Sequence, residues 1–184
     1  MFDSDHVQGR RITAVFGGFD GDIEGEVKLT AAPPALELDG RSNHIAWTIE
    51  GTDTHLPKQA SSFEAWVCID GLQEWGGIVG AIQDNGDYER GWLLGYRNAT
   101  FCFALASANK KRLTYLTAKD DFVMGAWYHV VGTYDGTPMR LFVDGSLVAT
   151  STEQSSDILY PPKTPPSPLA AGESISSKAR TQRL

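Results

Sequence analysis

The sequence lacks the marks of several protein classes. It has two cysteines in 184 residues, Cys68 and Cys102, which leaves one disulfide or two buried thiols as alternatives. No apolar run approaches the roughly 20 residues that a membrane-spanning helix needs, so we expect no membrane insertion. Acidic residues outnumber basic ones, 23 to 16, and the net charge of −7 argues against nucleic acid as a partner.

Motifs of common enzymes are also absent. The chain has no Gly-x-Ser-x-Gly elbow, no phosphate-binding Walker loop, no His-Glu-x-x-His and no Cys-x-x-Cys. Its N-terminus is acidic and polar, which does not fit a secretory signal peptide. Two alternatives follow: a cytosolic protein, or a mature domain or fragment of a larger secreted chain.

The most informative segment is Ala126–Thr150, which predicts three short strands joined by two tight turns. Asp144-Gly145 lies between alternating apolar residues, a strong signal for a two-residue hairpin, because both residue types tolerate positive φ angles. Similar short strands recur along the chain with Gly, Asp, Asn and Pro between them, and no helical period is visible. This pattern predicts an all-β fold, a sandwich or jelly roll.

Several motifs resemble one family. Two of them are the strand that starts at Trp127 and the hairpin at Asp144-Gly145. Three more occur earlier in the chain: a strand that ends in Asp39-Gly40, the segment Phe63–Val67 and the segment Arg90–Gly95. In this order they resemble laminin G-like domains of the concanavalin A-like lectin/glucanase superfamily. The resemblance implies a two-sheet antiparallel β-sandwich, the concanavalin A-like jelly roll, and an extracellular or cell-surface setting within a larger chain.

The resemblance divides the chain into three parts. Residues 1–34 form an N-terminal lead-in with the first strands, 35–172 form the laminin G-like sandwich, and 173–184 form a polar tail. The proline-rich run from Pro161 to Pro168 reads as a linker or an edge cover. Because the tail lacks the family's closing strand pattern, the sequence predicts that the final strand is truncated or altered.

Aromatic and charged side chains supply the candidate ligand site. We assign ligand binding to Trp75, Tyr88, Tyr96 and Arg97, since an indole or phenol face packs against the CH groups of a sugar ring. The alternative for Trp75 is a structural cap on the sandwich edge. Trp66, Trp92 and Trp127 are assigned to the core.

An acidic loop supplies the candidate metal site. Asp84, Asp87 and Glu89 place three carboxylates within six residues around a glycine, and Ca²⁺ prefers oxygen ligands in irregular loops. The alternative is a plain hairpin turn, for which the same residues are well suited. Ca²⁺ is thus the candidate cofactor.

The function expected from the resemblance is non-catalytic recognition of a carbohydrate or a protein, by a monomer or by one domain of a multidomain chain. The rival classes are a glycoside hydrolase or polysaccharide lyase on the same fold, and a structural spacer. The nearest string to the hydrolase signature is Asp22–Glu26, which has its carboxylates in reversed order and an intervening glycine, and reads as a solvated acidic turn.

Overall fold

Strands are the only regular elements in the residues that the structure describes. A computed structural model describes residues 6–13, 20–47, 56–86, 88–160 and, for the backbone alone, 179–182. Its strands are β1 Val7–Gln8, β2 Arg11–Ile12, β3 Gly21–Glu24, β4 Lys28–Ala31, β5 Pro34–Glu37, β6 His44–Ala46, β7 Ser61–Ile69, β8 Gln73–Asp84, β9 Glu89–Asn98, β10 Thr100–Ala106, β11 Leu113–Thr117, β12 Trp127–Tyr134, β13 Met139–Val143, β14 Ser146–Ser151 and β15 Ala179–Gln182. Within these residues, no helix is long and apolar enough to cross a membrane.

The strands form three antiparallel sheets. The large sheet has the order β14-β13-β12-β7-β15-β5-β4, and the front sheet has the order β11-β10-β9-β8. A smaller N-terminal sheet has the order β1-β2-β3-β6. The predicted all-β, two-sheet sandwich of the concanavalin A-like type is therefore confirmed, with the small sheet added at its N-terminal end.

The core lies between the large sheet and the front sheet. Alternate residues of β7 and β12 face those of β9 and β10, as the period of two in a strand requires. The central members of this cluster are fully or almost fully buried: Val67, Ile69, Leu94, Tyr96, Phe101, Phe103, Leu105, Val130, Tyr134 and Leu141. A second cluster, Ile12, Ile23 and Leu36, attaches the N-terminal sheet to β5 of the large sheet.

The hairpin at Asp144-Gly145 forms as the sequence predicts. Asp144 has φ 49° and Gly145 has φ 78°, the two positive values that a type I′ turn needs. The Asp144 carboxylate also accepts a hydrogen bond from the His129 backbone N–H at 2.8 Å, which ties the turn to β12.

The C-terminal prediction differs from the structure. Instead of a polar tail without a strand, Ala179–Gln182 form β15, which pairs antiparallel with both β5 and β7 inside the large sheet. Backbone pairing does not require an apolar side-chain pattern, so the polar composition concealed a strand. The proline-rich run at 161–168 lies outside the described residues, and the division into three parts stays a prediction.

Two further assignments are settled by the sheet geometry. Cys68 lies in the large sheet and Cys102 in the front sheet; both are buried thiols, and no disulfide joins these two described residues. Trp92 packs on Phe63 with ring centroids 3.4 Å apart, on the core side. Trp66 does not face the core: its neighbours Ala65 and Val67 do, and alternation turns Trp66 outward.

Candidate functional site

The outer face of the front sheet carries the candidate site. Cross-strand pairing places Trp75 opposite Arg97, and Gly80 in one row with Leu93, Ala104 and Tyr115. At the far end of the same hairpin, Asp84 is opposite Glu89. Directly paired residues lie on the same face of a sheet, so these side chains share the surface that points away from the core. We call this surface the front face.

Small residues form the floor of the front face. They are Gly77, Gly80, Gly91, Gly95, Cys102, Ala104 and Ala106. At Gly95 a Cβ atom would lie 2.4 Å from the carbonyl oxygen of Gly76, so the backbones of β8 and β9 approach too closely for any side chain. The small floor lets large side chains from the two outer strands, β8 and β11, meet across it.

Trp75 and Tyr115 make this contact. Their ring centroids are 5.2 Å apart and their planes are inclined by 57°, although Trp75 belongs to β8 and Tyr115 to β11. The Arg97 guanidinium lies 4.7 Å from the centroid of the Trp75 ring, a cation–π distance. Trp75 retains 37% of its surface exposed, so the front face presents an accessible indole beside a positive charge.

Tyr115 also contacts Asp84, at the end of the front face opposite Trp75. Its hydroxyl donates a hydrogen bond of 2.6 Å to Oδ2 of Asp84. Burial raises the pKa of Tyr115 well above its usual range, and the hydrogen bond to the Asp84 carboxylate adds to the increase. The phenol is therefore protonated and able to donate throughout the physiological pH range.

Cys102 lies beneath these side chains. It is paired with Gly95 and Thr117 on the front face and is 1% exposed. Burial raises the pKa of its thiol to about 12, and the positive charge of Arg97 offsets part of that increase. A thiol in this state is inert, because the thiolate is the reactive form.

Tyr96 does not belong to the site, which corrects the sequence assignment. It is fully buried on the core side, packs edge-on against Phe122 at 5.5 Å, and its hydroxyl donates to the Gly71 carbonyl oxygen at 3.3 Å. Tyr96 and Arg97 are consecutive in β9, and consecutive strand residues point to opposite faces. The inward ring fits because residue 76 is glycine, where a Cβ atom would lie 2.1 Å from the ring.

Tyr88 is exposed but lies apart from Trp75. It belongs to the loop between β8 and β9, next to Asp84, whereas Trp75 lies near the start of β8. The Arg90 guanidinium lies 5.7 Å from the centroid of the Tyr88 ring. The four predicted ligand residues thus separate into Trp75 with Arg97 on the front face, Tyr88 on the loop, and Tyr96 in the core.

The predicted calcium ligands are engaged by protein donors where the structure describes them. Asp84 accepts the Tyr115 hydroxyl, while Glu89 accepts Nε of Arg112 at 3.2 Å and the backbone N–H of Leu113 at 2.8 Å. Asp87 lies outside the described residues. Among the described ones, no group of three or more His, Cys, Asp or Glu side chains could hold a metal ion. Asp84 and Glu89 therefore fit a calcium site poorly, and calcium stays a prediction.

The sequence assignment missed Tyr115. Its signal was the alternation within β11, where Leu116 turns inward and Tyr115 outward. Sequence order places Tyr115 far from Trp75 and Asp84, and only the pairing of β8 with β9, β9 with β10 and β10 with β11 brings the three together.

The fold and the front face together define a jelly-roll sandwich with an aromatic outer surface. The chain belongs to the concanavalin A-like lectin/glucanases superfamily, whose laminin G-like family model matches residues 38–182. Among curated proteins it is similar to pappalysin-1 of Mus musculus, with 29% identity over 143 residues. That match covers 71% of this chain but 9% of pappalysin-1, so the chain spans about a tenth of this relative's length.

Two solved structures share the fold at low sequence identity. Domain 4 of AbnA, an extracellular arabinanase from Geobacillus stearothermophilus solved with arabinotriose, has a TM-score of 0.56 at 15% identity, over 90% of this chain and 73% of that one. The binding domain of botulinum neurotoxin serotype D/C has a TM-score of 0.56 at 16% identity, over 89% of this chain and 38% of that one. At these identities the likeness shows the fold alone.

Proposed function

We propose that this chain is a non-catalytic module that binds carbohydrate on the front face. The observation that carries the proposal is the accessible indole of Trp75, flanked by Arg97 and facing Tyr115 and Asp84 across a floor of small residues. An aromatic face with a few placed polar groups is the usual make-up of a site for a ring-shaped, hydroxylated ligand. The arabinanase domain solved with arabinotriose supports the class of ligand by analogy of fold.

The polar groups suggest how a sugar would be oriented. None of the ion pairs between described residues includes Arg97, so its charge is available to a hydroxyl or carboxylate of the ligand. Asp84 offers a carboxylate acceptor for a ligand hydroxyl at the other end of the front face. The proposed setting is an extracellular accessory domain within a larger chain.

A hydrolase or lyase is the second candidate, and one observation favours it. Asp84 and Glu89 are direct cross-strand partners on the same face, the arrangement from which an acid and a base could act on one bond. Their present contacts support binding more than catalysis: both carboxylate oxygens of Glu89 already accept hydrogen bonds from the protein, one from the Arg112 guanidinium and one from the backbone N–H of Leu113.

The test is binding of the full chain to a panel of neutral and acidic glycans, with Ca²⁺ and with a chelator. We expect Trp75→Ala to weaken binding by about 5- to 30-fold, because stacking on an aromatic ring contributes about 1–2 kcal/mol. Trp47→Ala is the matched control, since Trp47 is similarly exposed, at 41%, but lies next to the N-terminal sheet.

Each outcome has a defined meaning. Binding that survives Trp75→Ala would place the ligand elsewhere. Binding that the wild type shows with Ca²⁺ but loses in the chelator would show that the site needs calcium. Release of reducing sugar that disappears in Glu89→Gln would replace the binding module with a hydrolase.

A further inference from the structure

We propose that Tyr115 is a latch on the front face: its side chain occupies the position beside Trp75 that the ligand ring takes, and it swings out when the ligand binds. This inference rests on the proposed carbohydrate function. The phenol contacts the two partners that a bound sugar would use: its ring lies 5.2 Å from the Trp75 indole, inclined by 57°, and its hydroxyl donates to Asp84 at 2.6 Å. Ligand and Tyr115 would therefore compete for the same partners.

The position of Tyr115 shows how much of the site it covers. In the register of the sheet it shares a row with Ala104, Leu93 and Gly80, midway between Trp75 and the end of β8 at Asp84. From the outer strand β11 it reaches across β10 and β9 to both of these residues. In this closed position Trp75 is only partly exposed, and the Asp84 carboxylate is engaged.

The attachment of Tyr115 is suited to reversible opening. Its hydroxyl makes one hydrogen bond to a described residue, and the acceptor Asp84 is exposed to water, which can replace the phenol. Below the ring lie Leu93, Ala104 and Leu113, an apolar floor that packs against it without hydrogen-bonding its hydroxyl. Opening therefore breaks one hydrogen bond to a charged group and the apolar contacts of the ring, and the hydrogen bond is the part that a ligand or water can replace directly.

Opening exposes three features at once: the second half of the Trp75 face, an Asp84 oxygen and Cys102. The ligand that fits is a pyranose with an apolar ring face and a hydroxyl donor, with Arg97 available to an acidic substituent. Cys102 is buried on the same floor, opposite Thr117 and diagonal to Tyr115 in the register of β10 and β11, so its accessibility reports the latch without any ligand.

The first experiment measures alkylation of the native chain by iodoacetamide, followed for each cysteine by peptide mass spectrometry. Tyr115→Phe keeps the ring but removes the hydrogen bond, and we expect Cys102 to react about tenfold faster than in the wild type. Asp84→Ala removes the acceptor instead and should give a similar acceleration. Cys68, buried in the large sheet, is the internal control for global unfolding.

The outcomes separate a latch from a fixed cover. An unchanged Cys102 rate in both variants would overturn the latch, because a ring held by packing alone does not respond to loss of its hydroxyl. A parallel rise at Cys68 and Cys102 would also overturn it, since the opening would then be global.

The second experiment repeats the glycan panel with Tyr115→Phe and Tyr115→Ala. A latch predicts tighter binding for Tyr115→Phe, by up to about tenfold, while Asp84→Ala weakens binding despite opening the site. Weaker binding by Tyr115→Phe would make Tyr115 a fixed wall of the site and overturn the latch. If the wild type binds nothing but Tyr115→Ala does, the latch holds and keeps the site shut; if neither binds, the proposed carbohydrate function fails, and the latch is judged by the Cys102 rates alone.

Discussion

The two outer faces of the sandwich both carry aromatic side chains, but the residues that surround and underlie those side chains differ. On the large sheet, Trp66 stacks on His129 with ring centroids 5.0 Å apart, and His129 Nε2 lies 3.2 Å from Oε2 of Glu64. These residues are direct or diagonal neighbours on the adjacent strands β7 and β12, so each ring contacts side chains of the strand beside its own. On the front face, Trp75 and Tyr115 come from the two outer strands and meet across glycine and alanine.

The difference teaches that the size of the residues beneath an aromatic pair decides whether the two rings stabilise the sheet or can separate. Neighbouring residues on adjacent strands hold each other in place, and removing one costs stability. Rings that meet across a floor of small residues can separate without disturbing the sheet, which suits a surface that admits a ligand. The following predictions sharpen or break this contrast, beginning with the largest effect.

The floor of the front face should not tolerate added volume. Gly95→Ala places a Cβ atom 2.4 Å from the Gly76 carbonyl oxygen, and β8 and β9 must move apart to accept it. We expect a loss of about 3 kcal/mol in the free energy of unfolding. Denaturation in urea measures it. Glu64→Ala on the exposed large-sheet face is the control and should cost under about 0.5 kcal/mol; equal losses in the two variants would erase the distinction between the floors.

The aromatic pair of the large sheet should affect stability and not binding. Trp66→Ala removes the stack on His129 and its partly buried surface, and we expect a loss of about 2 kcal/mol. Glycan binding should stay at the wild-type level, the reverse of the pattern expected for Trp75→Ala. Thermal unfolding and the glycan panel, each run on Trp66→Ala and Trp75→Ala, test this prediction. A loss of binding by Trp66→Ala would extend the ligand site to the large sheet.

Burial of Cys102 should appear as alkaline sensitivity. The folded state holds the thiol pKa at about 12, whereas an unfolded chain ionises near its usual value of about 8.5. A folded pKa above the unfolded one means that the contribution is intact below pH 8.5 and is lost as the pH rises. Between pH 9 and 10 the free energy of unfolding should fall by about 1 kcal/mol from this group.

Cys102→Ala should remove the part of this loss of stability that comes from Cys102, because alanine does not titrate. Alanine is also the residue at position 104, the next position of β10 on the same floor. The measurement is urea denaturation at pH 8, 9 and 10. Cys68→Ala is the comparison variant on the large sheet. An identical pH dependence in the wild type and Cys102→Ala would show that the thiol ionises in the folded state.

Local chemistry made much of the fold predictable. Asp144-Gly145 specifies its turn through two positive φ angles, and the apolar alternation around it predicts the strands on either side. The final strand was missed, since Ala179–Gln182 are held by backbone pairing between β5 and β7 rather than by an apolar pattern. Trp66 was placed in the core because tryptophan is usually buried, yet its strand parity turns it outward.

The candidate site was only half visible in the sequence. Trp75 stands out as an aromatic residue in a loop-like context, and Arg97 follows at the end of a strand. Tyr96 was included because it adjoins Arg97, although adjacency in a strand means opposite faces. Tyr115 was omitted because nothing near it in the sequence resembles a site; its partners are brought to it by three consecutive strand pairings.

The sequence by itself determined the class of fold, because turn residues, strand periodicity and family motifs act over short stretches of chain. Only the tertiary structure decided which aromatic residues share a face, that Gly95 and its small neighbours form a floor, and that Tyr115 lies between Trp75 and Asp84. The physical reason is that the alternation within a strand decides to which side of the sheet a side chain points. Which side chains it contacts there depends on the order and register of strands that are distant in sequence.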